Sequence, residues 1–319
     1  MKFIEASKFG GPEVLTLVET PTPLPTEGTL LVEIKAAGVN YADIMARSGL
    51  YPRVAKAPFP VGFEIAGVLK GVGKGVQGFK EGDSVAAITQ GGGYATHAVI
   101  PAAAAIPLPA GFDHALAVAV LVQGVTAYIL LDEAKVKEGD TVLISAAGGG
   151  LGNIAIQLAK ARGAKVVGLA SKSKFEPVRS LGADNVADPG DAGWARSVKE
   201  AVGEKGIQIY LDSIGDLRTE AFPLLSQSGQ WIIFGVRSDK RNALPFEAVA
   251  VMIEKNINLR GFNLEGSLHQ VPQALSALFK LVGEGKLKFE ITKYPLREAA
   301  KVHQLFEARK TSGKVVLVP

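Results

Sequence analysis

Short runs of β-branched and aliphatic residues, set between glycine and proline, dominate the first third of the chain. Residues 30–39 (LLVEIKAAGV), 62–76 (GFEIAGVLKGVGKGV), 83–88 (DSVAAI) and 94–100 (YATHAVI) are all of this kind. Many short strands punctuated in this way predict a β-rich, barrel-like domain over the first 110 residues or so. From residue 115 the period changes, and helical patterns alternate with apolar runs at 141–146, 164–170, 207–212, 230–236 and 257–262. That alternation predicts a parallel sheet with helices on both faces. A helical stretch at 271–282, a run at 289–296, another helix and a closing strand at 314–319 complete the chain. No internal repeat or low-complexity segment breaks this order, and PTPLPTEG at 21–28 reads as a proline-rich turn.

The clearest chemical signal lies in residues 145–171, SAAGGGLGNIAIQLAKARGAKVVGLAS. A strand runs into a glycine-rich turn at 147–152, and a helix follows over 153–162. Leu151, Ile154, Leu158 and Ala161 give that helix one apolar face before the next strand begins. This is a complete βαβ unit, the context that a dinucleotide-binding loop requires. Ala147 stands at the first position of G-x-G-x-x-G, Gly149 at the second and Gly152 at the third, with Gly150 and Leu151 between the last two. Glycines suit the task because backbone must approach a pyrophosphate where a Cβ would collide, and the helix N-terminus offers N–H groups to the anion. The alternative is a turn kept glycine-rich only for close contact between helix and sheet.

The end of the second strand bears on which dinucleotide would bind. An NAD site usually places an acid there for the ribose 2′-hydroxyl. Here the strand leads into Ser171, Lys172, Ser173 and Lys174, with no acid before Glu176. Hydroxyls and ammonium groups favour a 2′-phosphate, so NADPH is expected over NADH. The alternative is that Lys172 and Lys174 only solvate the start of a helix.

Composition narrows the classes. The 319 residues are 47% hydrophobic and 21% charged, enough for about two domains with full cores. Thirty-five basic against 31 acidic residues leave +4, too thin a surplus to argue for nucleic acid. With no cysteine, a disulfide framework, a thiolate nucleophile and Cys-ligated metal are excluded. His97, His114, His269 and His303 are isolated, none at helical metal-pair spacing, and no metal or catalytic role is expected for them. Glu5 and Lys8 interrupt what would be a signal peptide's apolar core, and Gln123, Gly124 and Thr126 interrupt the longest apolar stretch, 115–131. The expectation is a soluble, cytoplasmic protein without membrane or nucleic-acid partners.

Several segments in order carry a family likeness: FGGPEVLTLVETPTPLP (9–25), AAGVNYADIMARSGLYP (36–52), GFEIAGVLKGVGKGV (62–76), the Gly-Asp pair at 82–83, LVQGVTAYILL (121–131) and AAGGGLG (146–152). Over essentially its whole length the chain resembles the zinc-independent quinone oxidoreductase branch of the medium-chain dehydrogenase/reductase superfamily. The resemblance implies an α/β protein in which residues 1–120 and 265–319 form a GroES-like catalytic domain. Residues 121–264 would form a Rossmann domain for NADPH, with the nicotinamide in the cleft between the two. Zinc-dependent relatives carry Cys where this chain has Asn40, His where it has Phe63, a second Cys near Val122 or Gln123, and a four-Cys lobe that is missing here. Asn40 and Phe63 cannot replace thiolate and imidazole. Glu64, where those relatives keep an acid behind the metal, is expected to serve a structural bond instead. Without a Lewis acid the hydride needs an acceptor whose own π-system spreads negative charge, a quinone or an enone.

By the same resemblance Asn40 and Tyr51 face the nicotinamide and the acceptor. Asn40 can donate an amide N–H, and Tyr51 can donate a proton or stack. The alternatives are a turn residue holding its own backbone for Asn40 and partial burial beside Pro52 for Tyr51. Asp43 and Arg47, four apart, predict a helical ion pair. Met45 stands where some members carry an aromatic residue, which suggests a more apolar acceptor pocket. Tyr128 reads as a pocket wall or as core. Thr126, Ser213, Ile214, Gly215, Phe234, Gly235, Val236, Phe262 and Leu264 are implied on the nicotinamide side, the later ones at strand ends where doubly wound sheets bind ligands. The implied activity is NADPH-dependent reduction of quinones or α,β-unsaturated carbonyls, by a homodimer joined near 257–262. The rivals are a 2-enoyl thioester reductase and a non-catalytic NADPH-binding protein.

Overall fold

The C-terminal strand joins a sheet built from the first third of the chain. Lys314–Val318 lies between Ile291–Pro295 and Thr29–Gly38, and the sheet continues through Glu64–Val72, Ser84–Ile88 and Ile106–Pro107. His97–Pro101 also pairs with Thr29–Gly38, and a smaller sheet is formed by Leu15–Glu19, Lys2–Ala6 and Phe59–Pro60. Leu30, Val32, Ile34, Ile65, Leu69 and Val85 point into a core shared with Val302 and Val315. Alternating strands place these side chains on one face because the side-chain period in a strand is two.

The computed structural model describes residues 1–236 and 243–319. It divides into two units, Met1–Val122 with Phe289–Pro319, and Gln123–Lys288. The sheet above belongs to the first.

The second unit holds a six-stranded sheet in the order Asn185–Ala187, Lys165–Leu169, Thr141–Ile144, Ile207–Asp212, Leu225–Ile233 and Asn258–Gly261. Every pairing is parallel. In chain order this is 3-2-1-4-5-6, the doubly wound arrangement whose strand direction of travel reverses beside the first strand. The Tyr210, Trp231 and Phe222 rings pack at 4.6–4.7 Å centroid separations on its inner side. The alternation of strand and helix predicted this sheet, except Asn185–Ala187, which at three residues is too short for a periodic signal.

Two expectations need correction. The apolar stretch does not stop at Gln123 and Gly124: His114–Val118, a π turn at Ala119–Gly124 and Val125–Glu133 run on as one helical segment. By length and composition it could cross a membrane, yet 72% of it is buried inside the protein, as a core helix would be. The second unit also extends beyond residue 264. Ser267 and Gln270 donate to Glu133 Oε1 at 2.7 and 3.1 Å, and Arg260 pairs with Glu133 Oε2 at 3.1 Å. These bonds tie the chain past 264 to the Val125–Glu133 helix, so the boundary falls at 288/289.

Candidate active site

In the first unit, Asn40 is the N-cap of the short helix Tyr41–Arg47, directly after the Thr29–Gly38 strand. Its backbone N–H donates to Asp43 Oδ2 at 2.7 Å, one half of a capping arrangement. Its side chain is also held. Nδ2 donates to Glu64 Oε2 at 2.9 Å, and Lys314 Nζ donates to Asn40 Oδ1 at 3.1 Å and to Glu64 Oε2 at 2.5 Å. Glu64 Oε1 accepts the Val122 N–H at 2.7 Å, within the π turn, where the ordinary helical ladder is broken. Glu64 thus makes the structural bonds expected of it. Asn40 does cap its own turn, which was the alternative reading, but it also faces a buried carboxylate and ammonium.

Tyr51 is half-buried, its ring 5.4 Å from that of Phe63. Consecutive residues, Phe63 and Glu64, therefore engage the two candidate catalytic side chains, one by ring contact and one by hydrogen bond.

Beneath this segment the expected Asp43–Arg47 pair is absent. Arg47, wholly buried, pairs instead with Glu307 on the Ala299–Glu307 helix. Asp43 Oδ2 takes the Tyr94 hydroxyl at 2.9 Å, and that hydroxyl also lies 3.2 Å from His303 Nε2. Helical spacing made the i, i+4 pair plausible, but the inward face of so short a helix meets partners from other elements. Burial raises the Asp43 carboxyl to about 7, only partly offset by the Asn40 N–H and the Tyr94 hydroxyl. Burial, with Arg47 nearby, lowers His303 to about 3.

In the second unit, the glycine loop leaves the first strand of the sheet at the switch point. Ala146 adopts a left-handed φ of 47°. Ala147 N–H returns to Leu169 O and Gly149 N–H to Ala146 O, both at 2.9 Å. The helix begins at Gly150, and Asn153 is the residue whose N–H returns to Gly149 O. Gly150, Leu151 and Gly152 thus open the helix with N–H groups that have no acceptor within it. A Cβ on Gly152 would come within 2.7 Å of Ala146 O and Ala147 Cα, so this helix can only approach the loop with glycine there. With its amide nitrogen turned to the loop, the Asn153 side chain donates to Ala147 O at 2.8 Å and Gly149 O at 3.2 Å.

Ser171, Lys172 and Lys174 follow the Lys165–Leu169 strand on the same edge. The Ser171 and Ser173 hydroxyls are 3.3 Å apart. Lys172 Nζ pairs with Asp191 at 3.5 Å, whereas the stem of Lys174 lies over the loop, where a Cβ on Gly148 would meet its Cδ at 2.6 Å.

Three further strand ends reach this edge. Ser213 N–H donates to Ser145 Oγ at 2.7 Å, while Ile214 and Gly215 N–H donate to Asp212 Oδ1 at 2.8 and 3.2 Å. Gly215 has φ +68°, and a Cβ there would lie 2.6 Å from Gly235 O. Phe234 N–H bonds Asp212 O, and Phe262 N–H bonds Ile233 O. Gly235, Val236 and Leu264 complete the edge, Val236 exposed and Leu264 opening the Leu264–Gln270 turn. Thr126 is buried one residue into Val125–Glu133, away from these strand ends in sequence. Tyr128 packs under the Arg162 guanidinium at 5.4 Å.

Sequence reading missed Lys314, Asn153 and Tyr94; His303, expected to have no catalytic role, is buried against the Tyr94 hydroxyl. Lys314 had a signal: it is the lone charge opening an otherwise aliphatic run, KVVLV.

Comparison with known proteins follows the same two units. A model of the alcohol dehydrogenase GroES-like domain matches residues 26–110, and one of zinc-binding dehydrogenases matches residues 150–280. The chain is 35% identical to Escherichia coli quinone oxidoreductase 1 over 99% of both chains. It is 31% identical to the human synaptic vesicle membrane protein VAT-1 homolog, over 98% of this chain and 84% of that one. A crystal structure of E. coli quinone oxidoreductase complexed with NADPH superimposes with a TM-score of 0.93 and 33% identity, covering all of both chains. The zinc of the second family model does not fit the residues present. Asn40 and Phe63 supply neither thiolate nor imidazole, Glu64 is already held by an ammonium, and the described residues contain no cluster of three or more His, Asp or Glu suited to a metal.

Proposed function

The chain belongs to the quinone oxidoreductase branch of the medium-chain dehydrogenase/reductase superfamily, and on that premise we propose that it uses NADPH, without zinc, to reduce a quinone or an α,β-unsaturated carbonyl. The observation that carries the acceptor site is the pairing of neighbours: the Phe63 ring contacts that of Tyr51 at a tilt of 44° while Glu64 accepts from the Asn40 amide. In a zinc-dependent relative positions 40 and 63 would hold ligands; here they hold an amide and a phenyl ring.

The glycine loop supports the cofactor assignment. The N–H groups of Gly150, Leu151 and Gly152 suit a pyrophosphate, and Ser171 and Lys174 suit a 2′-phosphate. Thr126, Ser213, Gly215, Phe234, Gly235, Val236, Phe262 and Leu264 would line the nicotinamide. Bound NADPH supplies the hydride. Asn40 would donate an N–H to the acceptor's oxygen as negative charge gathers there, and such a donor is typically worth about 2.7–4 kcal/mol of rate enhancement. Tyr51 would donate a proton or hold the acceptor by stacking.

The protein would work in the cytoplasm as a homodimer. Support for the dimer comes from Asn258–Gly261, which ends the sheet order, and from Phe246 and Ile253, exposed on the neighbouring helix Phe246–Lys255. NADPH oxidation with 1,4-benzoquinone, cyclohex-2-enone, a 2-enoyl thioester and cyclohexanone tests the function. Turnover with the quinone or the enone, and little with cyclohexanone, is expected. Turnover with cyclohexanone alone would overturn the reading.

A further inference from the structure

Lys314 opens the Lys314–Val318 strand with its side chain 2% exposed, against a Glu64 side chain that is wholly buried. Burying two charges is costly, and an apolar pair of the same size often serves stability as well or better. The ammonium, however, has a second partner. It donates to Asn40 Oδ1 at 3.1 Å as well as to Glu64 Oε2 at 2.5 Å, and Asn40 Nδ2 donates to the same Glu64 oxygen at 2.9 Å. The three side chains form a closed ring. Two neighbours support it. The Val122 N–H fixes the other Glu64 oxygen, and Gly38 leaves the space, since a Cβ there would lie 2.8 Å from Lys314 Nζ.

We propose that Lys314 is a positioning residue that, with Glu64, fixes and polarises the Asn40 amide for its work on the acceptor. This rests on the reading of Asn40 given above. Rotating the amide by half a turn would set its NH₂ against an ammonium and its carbonyl against a carboxylate, so one orientation is enforced. The cation on Oδ1 also draws electron density from the amide nitrogen, which makes its N–H groups stronger donors. A neutral partner would do neither as well.

The test separates this role from simple charge neutralisation. Lys314→Met alone leaves a buried carboxylate unpaired and is expected to misfold. The double variant Glu64→Gln/Lys314→Met removes both charges together. It should melt within a few degrees of the parent and bind NADPH with parental affinity, yet show kcat at least tenfold lower with 1,4-benzoquinone and cyclohex-2-enone. Parental kcat in that variant would overturn the proposal. Should it fail to fold, Lys314→Arg decides: the guanidinium keeps the charge but is planar and broader than the ammonium, so in this tight site it cannot reproduce the same contacts to Asn40 and Glu64. A threefold or greater fall in kcat at unchanged NADPH affinity supports the proposal, and parental kcat overturns it. Asn40→Ala, run alongside, reports on the underlying reading. If it too has parental kcat, the assignment of Asn40 fails; if only it loses activity, the assignment stands and the role of Lys314 falls.

Discussion

Tyr94 donates its hydroxyl to Asp43 at 2.9 Å, and both residues are shut off from solvent. His303, also buried, meets the same hydroxyl from the other side at 3.2 Å. An acid and a base, both held towards their neutral forms by burial, thus share one phenol below the Asn40 turn. Asp43, raised from 3.8 to about 7, binds its proton more tightly folded than unfolded. Its contribution is greatest below pH 3.8 and is lost as pH rises through 7. His303, lowered from 6.5 to about 3, binds its proton more weakly when folded. Its contribution is intact above pH 6.5 and is lost as pH falls towards 3.

The two slopes oppose each other across the same window, so the parent's melting temperature should vary little between them. Asp43→Asn should expose the histidine slope, with melting temperature falling on acidification from pH 6.5. His303→Gln should expose the aspartate slope, with melting temperature falling as pH rises towards 7. Calorimetric scans across that window check both signs, and parallel curves for all three proteins would contradict the assignment.

Lys174 and Lys172 should differ as cofactor contacts. The stem of Lys174 lies over Gly148 of the glycine loop, whereas Lys172 Nζ reaches Asp191 at 3.5 Å. Lys174→Ala should weaken NADPH by about 1.5–3 kcal/mol, roughly tenfold to a hundredfold, and NADH far less. Lys172→Ala should cost severalfold less in the same fluorescence titration.

Gly152→Ala should fail at the level of the fold. Its methyl group would press on Ala146 O and Ala147 Cα, backbone that cannot swing aside as a side-chain tip could. A loss of about 1–3 kcal/mol in denaturant unfolding is expected, with weakened NADPH binding. Gly149→Val should disturb the fold less than Gly152→Ala and lose the cofactor, because a Cβ there would lie 3.2 Å from Ala146 O, tight but short of the 2.7 Å overlap at Gly152. Ligand titration of the folded variants distinguishes the two outcomes.

Most of the parallel sheet was legible in sequence because apolar runs alternate with helical patterns, which local spacing carries; Asn185–Ala187 was too short to show it. The glycine loop was legible for the same reason, since all its parts lie within 30 residues or so. What escaped depends on distance along the chain. Lys314 meets Asn40 and Glu64 across more than 200 residues, and Arg47 passes over the near Asp43 for Glu307. Spacing rules describe a helix's own neighbours and cannot say which partner tertiary contact will supply. The helix through Gln123 escaped for a different reason. Polar residues and glycine look like interruptions, yet a π turn absorbs them without ending the helix.

The central claim is direct hydride transfer from NADPH to a conjugated acceptor. NADPH carrying deuterium at both C4 positions, incubated with the enzyme and cyclohex-2-enone, tests it most directly by mass and NMR analysis of the product. The account predicts one deuterium at the β-carbon of the saturated ketone, where the new C–H bond forms, and a solvent-derived hydrogen at the α-carbon. A reduced ketone with no deuterium at the β-carbon, or deuterium at a carbinol carbon, would contradict it.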